Sequence, residues 1–341
     1  MSRRVRLWAV LLSPVLLSPV GGAKAWAAEG EAYDPLRLAA GAEPATHDLS
    51  FDDAQRKRTI PLKAYLPKVA AGEAAEPAPV VLFSHGLGGS REGGAYLGKH
   101  WGARGYVVVA MQHAGSDSEV WRNAPLGERR NALSKAAGGE NFLLRAKDVA
   151  AVLDQLTNWN GEAGHVLAGR LDLEHVGMSG HSFGAVTTQA VSGQSFPLGG
   201  GAALTDARID AAVLFSPSPP RAGSAEKAFG SVRLPWLLMT GTKDDSPIGG
   251  ITAASRLEVF PALPAGAKYE LVLDGAEHSA FGDRGPPADR GRRNDNHHRV
   301  ILALSTAFWD AYLRGDAAAK TWLDGAGPRS VLETADRWRT K

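Results

Sequence analysis

The stretch Val176-Gly177-Met178-Ser179-Gly180-His181-Ser182-Phe183-Gly184-Ala185-Val186 decides how the rest of this 341-residue chain is interpreted. It contains the pattern Gly-x-Ser-x-Gly, in which an apolar strand ends, the backbone turns sharply and a helix begins. The serine at the apex, Ser182, is expected to adopt a strained conformation that points its hydroxyl away from both elements. Glycine is needed on both sides because the strand and helix backbones pass too close for a Cβ. The N-terminal N–H groups of the helix would then favour negative charge beside Ser182.

The motif alone is weak evidence, because the chain is rich in glycine. Glycine occupies 40 of the 341 positions, so a random chain of this composition would hold about 0.3 such matches. The alternative interpretation is a glycine-rich strand end with an incidental serine. The β-branched Val176 before the motif and the small-residue run 185–191 after it favour the strand-turn-helix.

The N-terminal residues have the build of an export signal. A basic start is followed by an apolar run over residues 7–20 and by the small-x-small pattern Ala25-Trp26-Ala27. We therefore predict a signal peptide over residues 1–27, a catalytic domain over residues 28–341, and a periplasmic or extracellular location. The apolar run is short and broken by proline, so no stable membrane insertion is expected.

Charge and cysteine content narrow the classes of partner. The whole chain has 38 Lys and Arg against 36 Asp and Glu. Cleavage removes Arg3, Arg4, Arg6 and Lys24, which leaves 34 basic against the same 36 acidic residues, a net charge near −2. Neither a nucleic acid nor an anionic membrane is expected as a partner of such a surface. The chain has no cysteine, so it uses neither disulfides nor thiol chemistry.

Continuous apolar runs alternate with segments of helical periodicity. The pattern predicts two edge strands, at 46–51 and 60–66. It predicts buried strands at 79–84, 106–111, 211–215, 236–240 and 269–273, and another directly before the Gly-x-Ser-x-Gly motif. Helices are predicted at 96–104, 142–156, 300–313 and 317–323. Buried strands that alternate with helices indicate an α/β fold, a doubly wound and mostly parallel sheet flanked by helices. In such sheets ligands bind beyond the carboxyl ends of the strands.

A serine hydroxyl needs a base within hydrogen-bond reach, and the base needs an orienting carboxylate. In folds with this kind of turn the chain order is serine, acid, histidine. Of the three histidines after Ser182, His278 directly follows the last apolar strand and is the predicted base. His297 and His298 lie in the polar, arginine-rich stretch 282–299, which is interpreted as a solvated loop or a pocket rim.

Two adjacent aspartates are candidates for the orienting acid. Asp244 and Asp245 both follow the strand at 236–240. The Gly-x-x-Asp spacing after the strand favours Asp244, and Asp245 would then cap the local turn or face solvent. Asp274 and Glu277, close to His278 in sequence, are the alternatives and are expected to stay solvated.

The same chemistry needs N–H donors for the negative charge that develops on the reacting oxygen. The backbone N–H of Phe183, directly after Ser182, is one predicted donor. The glycine-rich loop after the strand at 79–84 is the expected source of the second, which we assign to the Leu87 N–H. His85 in that loop is interpreted as structural, and a catalytic role for it would require the reverse chain order.

Four motifs occur together in this order: Phe83-Ser84-His85-Gly86-Leu87-Gly88-Gly89, Gly180-His181-Ser182-Phe183-Gly184, Gly241-Thr242-Lys243-Asp244 and Glu277-His278. With them the chain resembles the α/β-hydrolases of the dienelactone hydrolase and platelet-activating-factor acetylhydrolase-like group, which neighbours the cutinase-like polyester hydrolases. The resemblance covers roughly residues 60–313 and implies an α/β-hydrolase fold and a serine esterase with neither metal nor organic cofactor. Two departures weaken a dienelactone or polyester assignment. First, the serine of the motif is not the cysteine of true dienelactone hydrolases, and His181 precedes it where cutinase-like enzymes commonly have tryptophan. Second, the chain lacks the cysteine pair that those polyester hydrolases often join in a disulfide.

The pocket residues are predicted from loops at the carboxyl ends of the strands. Residues 112–141 lack clear periodicity and are interpreted either as a lid or as a surface excursion. His113 and Trp121 in this segment, together with His181, are expected to line the pocket.

Three hypotheses about function remain open from the sequence. The first is hydrolysis of a small-molecule or lipid-like carboxylic ester through an acyl-enzyme on Ser182. The second is a peptidase or amidase, because acyl transfer by this set of residues is common to both. The third is a binding protein that keeps the fold without catalysis.

Overall fold

A nine-stranded sheet runs through the part of the chain that the computed structural model describes, which is residues 32–69, 72, 74–197, 204–283 and 294–341. In chain order the strands are Ala45–Asp53 (β1), Arg58–Leu66 (β2), Ala78–Ser84 (β3), Val107–Met111 (β4), Leu171–His181 (β5), Ala211–Phe215 (β6), Trp236–Lys243 (β7), Lys268–Glu277 (β8) and Arg337–Thr340 (β9). Their order in space is β1-β2-β4-β3-β5-β6-β7-β8-β9. The pairs from β4 across to β8 are parallel, whereas the β1–β2, β2–β4 and β8–β9 pairs are antiparallel.

Helices cover both faces of this sheet. The α-helices in the described residues are Ala95–Ala103 (α1), Glu119–Arg122 (α2), Arg129–Ala136 (α3), Gly139–Gly161 (α4), Phe183–Val191 (α5), Ala225–Phe229 (α6), Ala253–Arg256 (α7), Val259–Ala262 (α8), Asp295–Leu313 (α9) and Ala317–Asp324 (α10). Short 3₁₀ turns occur at Leu126–Glu128, His278–Phe281 and Gly327–Ser330.

The alternation of side chains along the central strands builds two apolar layers. On β3, Val81 and Phe83 point to the layer that contains the apolar side chains of α1 and α9. Val80 and Leu82, between them in sequence, point to the opposite layer with those of α4. Because successive side chains of a strand face opposite sides, a strand that is apolar throughout needs helices on both faces. The predicted doubly wound sheet is therefore confirmed.

The sheet differs from the sequence prediction at its two edges. The segment that becomes β2 was expected at an edge, but it pairs with β1 on one side and β4 on the other. Its Pro61 lies just outside the ladder with β4, which begins at Leu62, so its missing N–H removes no bond from that ladder. At the opposite edge, β9 was not predicted, because Arg337-Trp-Arg-Thr340 is short and charged.

Residues Tyr33–Lys341 form one compact unit, which holds every strand and helix given above. The predicted signal peptide, residues 1–27, and its cleavage site lie outside the described residues, and that boundary stays a prediction.

Candidate active site

Ser182 lies at a sharp corner between β5 and α5. Strand β5 ends at His181, helix α5 begins at Phe183, and Ser182 between them has φ 57° and ψ −114°. A positive φ with this ψ is strained for a residue that carries a Cβ, and costs on the order of 1–3 kcal/mol. The corner persists because Ser182 N–H donates to the Phe215 carbonyl of β6 at 2.9 Å and its carbonyl accepts from Val186 N–H at 3.1 Å.

The two glycines of the motif allow backbones to touch. A Cβ on Gly184 would lie 1.8 Å from the carbonyl oxygen of Ser84, at the end of β3. A Cβ on Gly180 would lie 2.4 Å from the backbone of Gly184. Both clashes are with main-chain atoms, one in β3 and the other in α5, which cannot rotate away as a side chain can. The turn therefore requires glycine at both positions.

Replacement of Gly184 by alanine is expected to destabilise the protein by about 2 kcal/mol or more, because overpacking against a fixed backbone costs at least this order. The free energy of unfolding in urea measures the effect. Gly161→Ala is the matched control, since a Cβ there meets no atom within 4 Å, and it should leave stability unchanged or slightly higher. Equal stability of the two variants would contradict the close approach of α5 to β3.

Hydrogen bonds join the three side chains predicted to act together. His278 Nε2 lies 2.9 Å from Ser182 Oγ, and His278 Nδ1 lies 2.6 Å from Asp244 Oδ1. A carboxylate only accepts, so Nδ1 carries the proton and Nε2 of the neutral ring is left to accept from the serine hydroxyl. These residues follow β5, β7 and β8, which lie in one parallel run, so their carboxyl ends meet at one edge.

The structure distinguishes the two adjacent aspartates. Asp244 is fully buried, and its second oxygen accepts from Thr240 Oγ1 at 2.8 Å. Asp245 turns away and accepts from the Ala253 N–H at the start of α7, 2.8 Å away. Asp244 is therefore the aspartate that contacts His278, and Asp245 caps the local turn, as the sequence analysis expected if Asp244 were the acid.

Arg256, which the sequence analysis did not single out, lies behind this acid. Its Nε donates to the Asp244 carbonyl at 2.8 Å and is 3.2 Å from Oδ1, while Nη1 donates to the Ser216 carbonyl at 2.8 Å. Burial alone would raise the pKa of Asp244. The hydrogen bond with His278 and the positive charge of Arg256 outweigh it and hold that pKa below its ordinary value. Asp244 is therefore kept ionised at neutral pH.

The two predicted N–H donors lie beside Ser182 along one cleft. Phe183 is the first residue of α5, where the backbone N–H has no acceptor within the helix. In the loop after β3, the N–H groups of Gly88 and Gly89 bond to the carbonyls of Ser116 and Gly86. The Leu87 N–H donates to no acceptor in the described part of the chain. The arrangement leaves two N–H groups available to an oxygen bound next to Ser182.

Neither His85 nor His113 has a hydrogen bond to Ser182, Asp244 or His278 within the described part of the chain. His85 is buried, its Nδ1 donates to the Gly86 carbonyl at 2.6 Å, and its Nε2 accepts from His113 N–H at 3.1 Å. This placement agrees with a structural role. His113 is fully buried and bonds to Ser84 Oγ at 2.9 Å and to Asp148 Oδ2 at 3.0 Å. The prediction that His113 lines the pocket is wrong, because the chain turns its side chain into the interior at the end of β4.

His181 and Trp121 both line the cleft. The His181 ring lies 4.7 Å from that of His278, and its Nε2 is 3.0 Å from the His278 carbonyl. Burial, together with the neighbouring His278, lowers the pKa of His181 to about 3, so this ring is neutral near pH 7. Trp121, in α2, donates from Nε1 to the Gly88 carbonyl at 2.8 Å.

The end of the polar stretch 282–299 is helical. His297 and His298 belong to α9, where His297 is buried and bonds to the Asp274 carbonyl, and His298 stacks on Tyr96 with ring centroids 3.9 Å apart. The interpretation of both histidines as loop or pocket-rim residues is therefore wrong. Residues 284–293, which carry most of the arginines of this stretch, lie outside the described residues.

The cleft over Ser182 has a volume of about 2370 Å³. This is larger than the roughly 300–1,000 Å³ of ordinary small-molecule pockets. Its walls include apolar side chains from the segment 112–141, from α4, from the loops after α5 and β6, and from the turn before α7. These are Trp121, Leu133, Phe142, Phe196, Pro197, Pro219, Pro220, Ile248 and Ile251.

The described residues meet neither the requirements of a metal site nor those of a membrane-spanning helix. No group of three or more His, Asp or Glu side chains in the resolved stretches is placed to hold a metal ion. Among the same stretches, no helix is both long and apolar enough to cross a bilayer.

A doubly wound sheet with a strained serine corner after β5, an acid after β7 and a histidine after β8 defines the α/β-hydrolase fold. The chain has this fold. A search of solved structures matches 769 chains. One of them is a ferulic acid esterase from Streptomyces cinnamoneus, with a TM-score of 0.57 and 22% sequence identity over 82% of this chain and 93% of that one.

At the level of sequence, residues 62–124 match the family described as platelet-activating factor acetylhydrolase, isoform II. That segment runs from β2 through β3 and β4 and includes the loop that carries Leu87. No curated protein sequence matches the chain. The predicted resemblance is thus supported in part of the chain by sequence and in most of it by fold.

Proposed function

We propose that this protein is a serine hydrolase that cleaves carboxylic esters through an acyl-enzyme on Ser182. The observation that carries the proposal is a pair of hydrogen bonds through His278 beside an apolar cleft. Its Nε2 lies 2.9 Å from Ser182 Oγ, and its Nδ1 lies 2.6 Å from Asp244 Oδ1. The acetylhydrolase match over 62–124 and the likeness to an esterase fold point to the same chemistry.

In the first half-reaction, Ser182 Oγ attacks the acyl carbon of the ester while His278 Nε2 accepts the hydroxyl proton. The ester carbonyl oxygen takes the electron pair and is bound by the N–H groups of Leu87 and Phe183. The imidazolium is stabilised by ionised Asp244. When the intermediate collapses, the bond to the alcohol oxygen breaks and His278 returns the proton to the leaving alcohol.

In the second half-reaction, water replaces the alcohol. His278 accepts a proton from the water as its oxygen attacks the acyl carbon, and the same two N–H groups bind the new oxyanion. Collapse releases the carboxylic acid and returns the proton to Ser182. His181 stays neutral beside His278, so it adds no charge that would oppose formation of the imidazolium.

The substrate we propose is an ester with at least one bulky apolar group. The aromatic and proline side chains along the cleft, Trp121, Phe142, Phe196 and Pro220 among them, offer a surface for such a group. The ester could thus be small or lipid-like, and the wide cleft accommodates more than an acetyl group.

A hydrolysis panel tests the proposal. p-Nitrophenyl esters from C2 to C16, methyl ferulate, and a p-nitroanilide matched in its acyl group are compared by kcat/KM. We expect the ester to exceed its anilide by more than about 100-fold, and a phosphonate ester to label Ser182 covalently, as seen by peptide mass spectrometry. A faster anilide would indicate a peptidase or amidase, and neither turnover nor labelling would indicate a binding protein.

We also propose that the enzyme is exported and that residues 1–27 are removed. The support is the basic start, the apolar run and the Ala25-Trp26-Ala27 pattern. The intact mass of the protein recovered outside the cytoplasm should correspond to a chain that begins at Ala28. A full-length chain retained in the cytoplasm would contradict export.

A further inference from the structure

Arg145 of α4 is a buried arginine without a carboxylate partner. It is fully inaccessible to solvent, and no carboxylate in the described ranges lies within ion-pair distance of its guanidinium. The other buried arginines differ. Arg104 pairs with Asp310 at 2.8 Å, and Arg256 lies 3.2 Å from Asp244. Burial lowers the pKa of Arg145 to about 9, and the charges of Asp148 and Asp117, which lie beyond ion-pair distance, offset this only in part. Because burial of a charge without a direct ion pair is costly, the hydrogen bonds of the guanidinium to uncharged acceptors have to stabilise it.

The acceptors of Arg145 come from the two segments that carry the proposed oxyanion donors. On one side, Nη2 donates to Ser84 Oγ at 3.0 Å and to the His85 carbonyl, two residues before Leu87. Nη1 donates to Ser116 Oγ at 3.0 Å. The Ser116 carbonyl in turn accepts from the N–H of Gly88, the residue after Leu87. The peptide that presents the Leu87 N–H is thus held from both sides.

On the other side, Arg145 contacts the first turn of α5. Its Nε donates to Thr187 Oγ1 at 3.0 Å, and that hydroxyl donates to the Phe183 carbonyl, also at 3.0 Å. The guanidinium carbon lies 4.7 Å from the centroid of the Phe183 ring, within the range of a cation–π contact. One rigid, planar group therefore connects the backbone around both N–H donors.

We propose that Arg145 is a positioning residue for the oxyanion hole, which fixes the separation of the Leu87 and Phe183 N–H groups. The inference rests on the proposed ester hydrolysis. An oxyanion forms only in the transition state, so misplaced donors should lower kcat and leave KM nearly unchanged. Loss of one such donor typically costs 10²–10³ in kcat.

The test is Arg145→Met, measured with p-nitrophenyl acetate. We expect kcat to fall about 100-fold with KM within about threefold of wild type, on the scale of a lost oxyanion donor. Arg145→Lys should recover about tenfold of that loss, because one ammonium can reach some but not all of the acceptors. The pH at which kcat/KM is half-maximal should not move, since Arg145 does not contact His278 or Asp244.

Thr187→Val is the second variant, and it decides the question if Arg145→Met does not fold. It removes only the hydroxyl between Arg145 and the Phe183 carbonyl, and should lower kcat about fivefold at unchanged KM. Arg104→Met is the matched control. It breaks a buried ion pair remote from Ser182, so it should lower the thermal midpoint while kcat per folded molecule stays at the wild-type value.

The outcomes separate this inference from the proposed function. A wild type that hydrolyses no ester and is not labelled at Ser182 overturns the function and the inference together. A wild type that hydrolyses the ester, with kcat of Thr187→Val and of any folded Arg145→Met within twofold of its own, overturns only the role of Arg145. A loss that appears in KM alone, or that is matched by Arg104→Met, also overturns it.

Discussion

Replacement of Ser182 by alanine is expected to reduce ester turnover by about 10⁴- to 10⁶-fold, the range lost when a nucleophile of this kind is removed. Alanine lacks the oxygen that forms the acyl bond, and it removes the hydroxyl that lies 2.9 Å from His278 Nε2 and gives up its proton to that atom. The measurement is kcat/KM with p-nitrophenyl acetate, with the phosphonate labelling lost in parallel.

Ser179→Ala is the matched control for this experiment. Ser179 lies in β5, three residues before Ser182, is buried, and donates to the Leu82 carbonyl at 2.7 Å. The control should keep ester turnover within about threefold of wild type, because the lost hydroxyl bonds to a strand carbonyl and not to Ser182, His278 or Asp244, so its loss affects stability. If Ser182→Ala retains more than a hundredth of the wild-type activity, the acyl-enzyme is formed elsewhere.

Replacement of Asp244 by asparagine is expected to lower kcat about 10⁴-fold, as loss of the charged acid does when the base is left with the wrong tautomer. An asparagine amide can donate to Nδ1 of His278, which would move the ring proton to Nε2 and prevent it from accepting the Ser182 proton. The variant also leaves the guanidinium of Arg256 without its counter-charge, so we expect a lower free energy of unfolding by about 3 kcal/mol.

Asp245→Asn is the control for the acid. Its side chain accepts only from the Ala253 N–H among the contacts described for it, and the amide oxygen of asparagine can accept the same bond. Turnover should therefore stay within about twofold of wild type. A larger loss in Asp245→Asn than in Asp244→Asn would reverse the assignment of the acid.

The sequence predicted the fold and the three bonded side chains well because they depend on local signals. Ser182 follows a buried strand and has glycine on both sides, and His278 and the two aspartates directly follow apolar strands. Because these strands are parallel, residues that follow their carboxyl ends lie at the same edge of the sheet. The sequence favoured Asp244 over Asp245 but could not decide which of the two adjacent side chains faces His278. The turn into α7 decides it, because there the Asp245 side chain accepts from the Ala253 N–H.

The sequence did not predict which polar side chains are buried. In α4, which the sequence predicted only as a helix with an apolar face, Leu143 is 46% exposed while Arg145 and Asp148 are fully buried. Arg145 is bonded to residues from three distant segments, and Asp148 to Arg56, Arg58 and His113. Such pairings depend on tertiary contacts, and periodicity of apolar residues assigns charged side chains to solvent. His113 was misplaced for the same reason.

The direct contact of Gly184 with the Ser84 carbonyl has a consequence for how this enzyme could acquire new substrates. The corner that presents Ser182 and the strand that leads to Leu87 cannot shift independently, so the reactive centre is fixed as one unit. Substitutions that alter selectivity should be tolerated mainly at cleft positions outside this unit, such as Phe196 and Pro220. Mutant libraries aimed at those positions should yield variants with altered preferences at preserved turnover, whereas libraries aimed at the glycines should yield mostly unfolded protein.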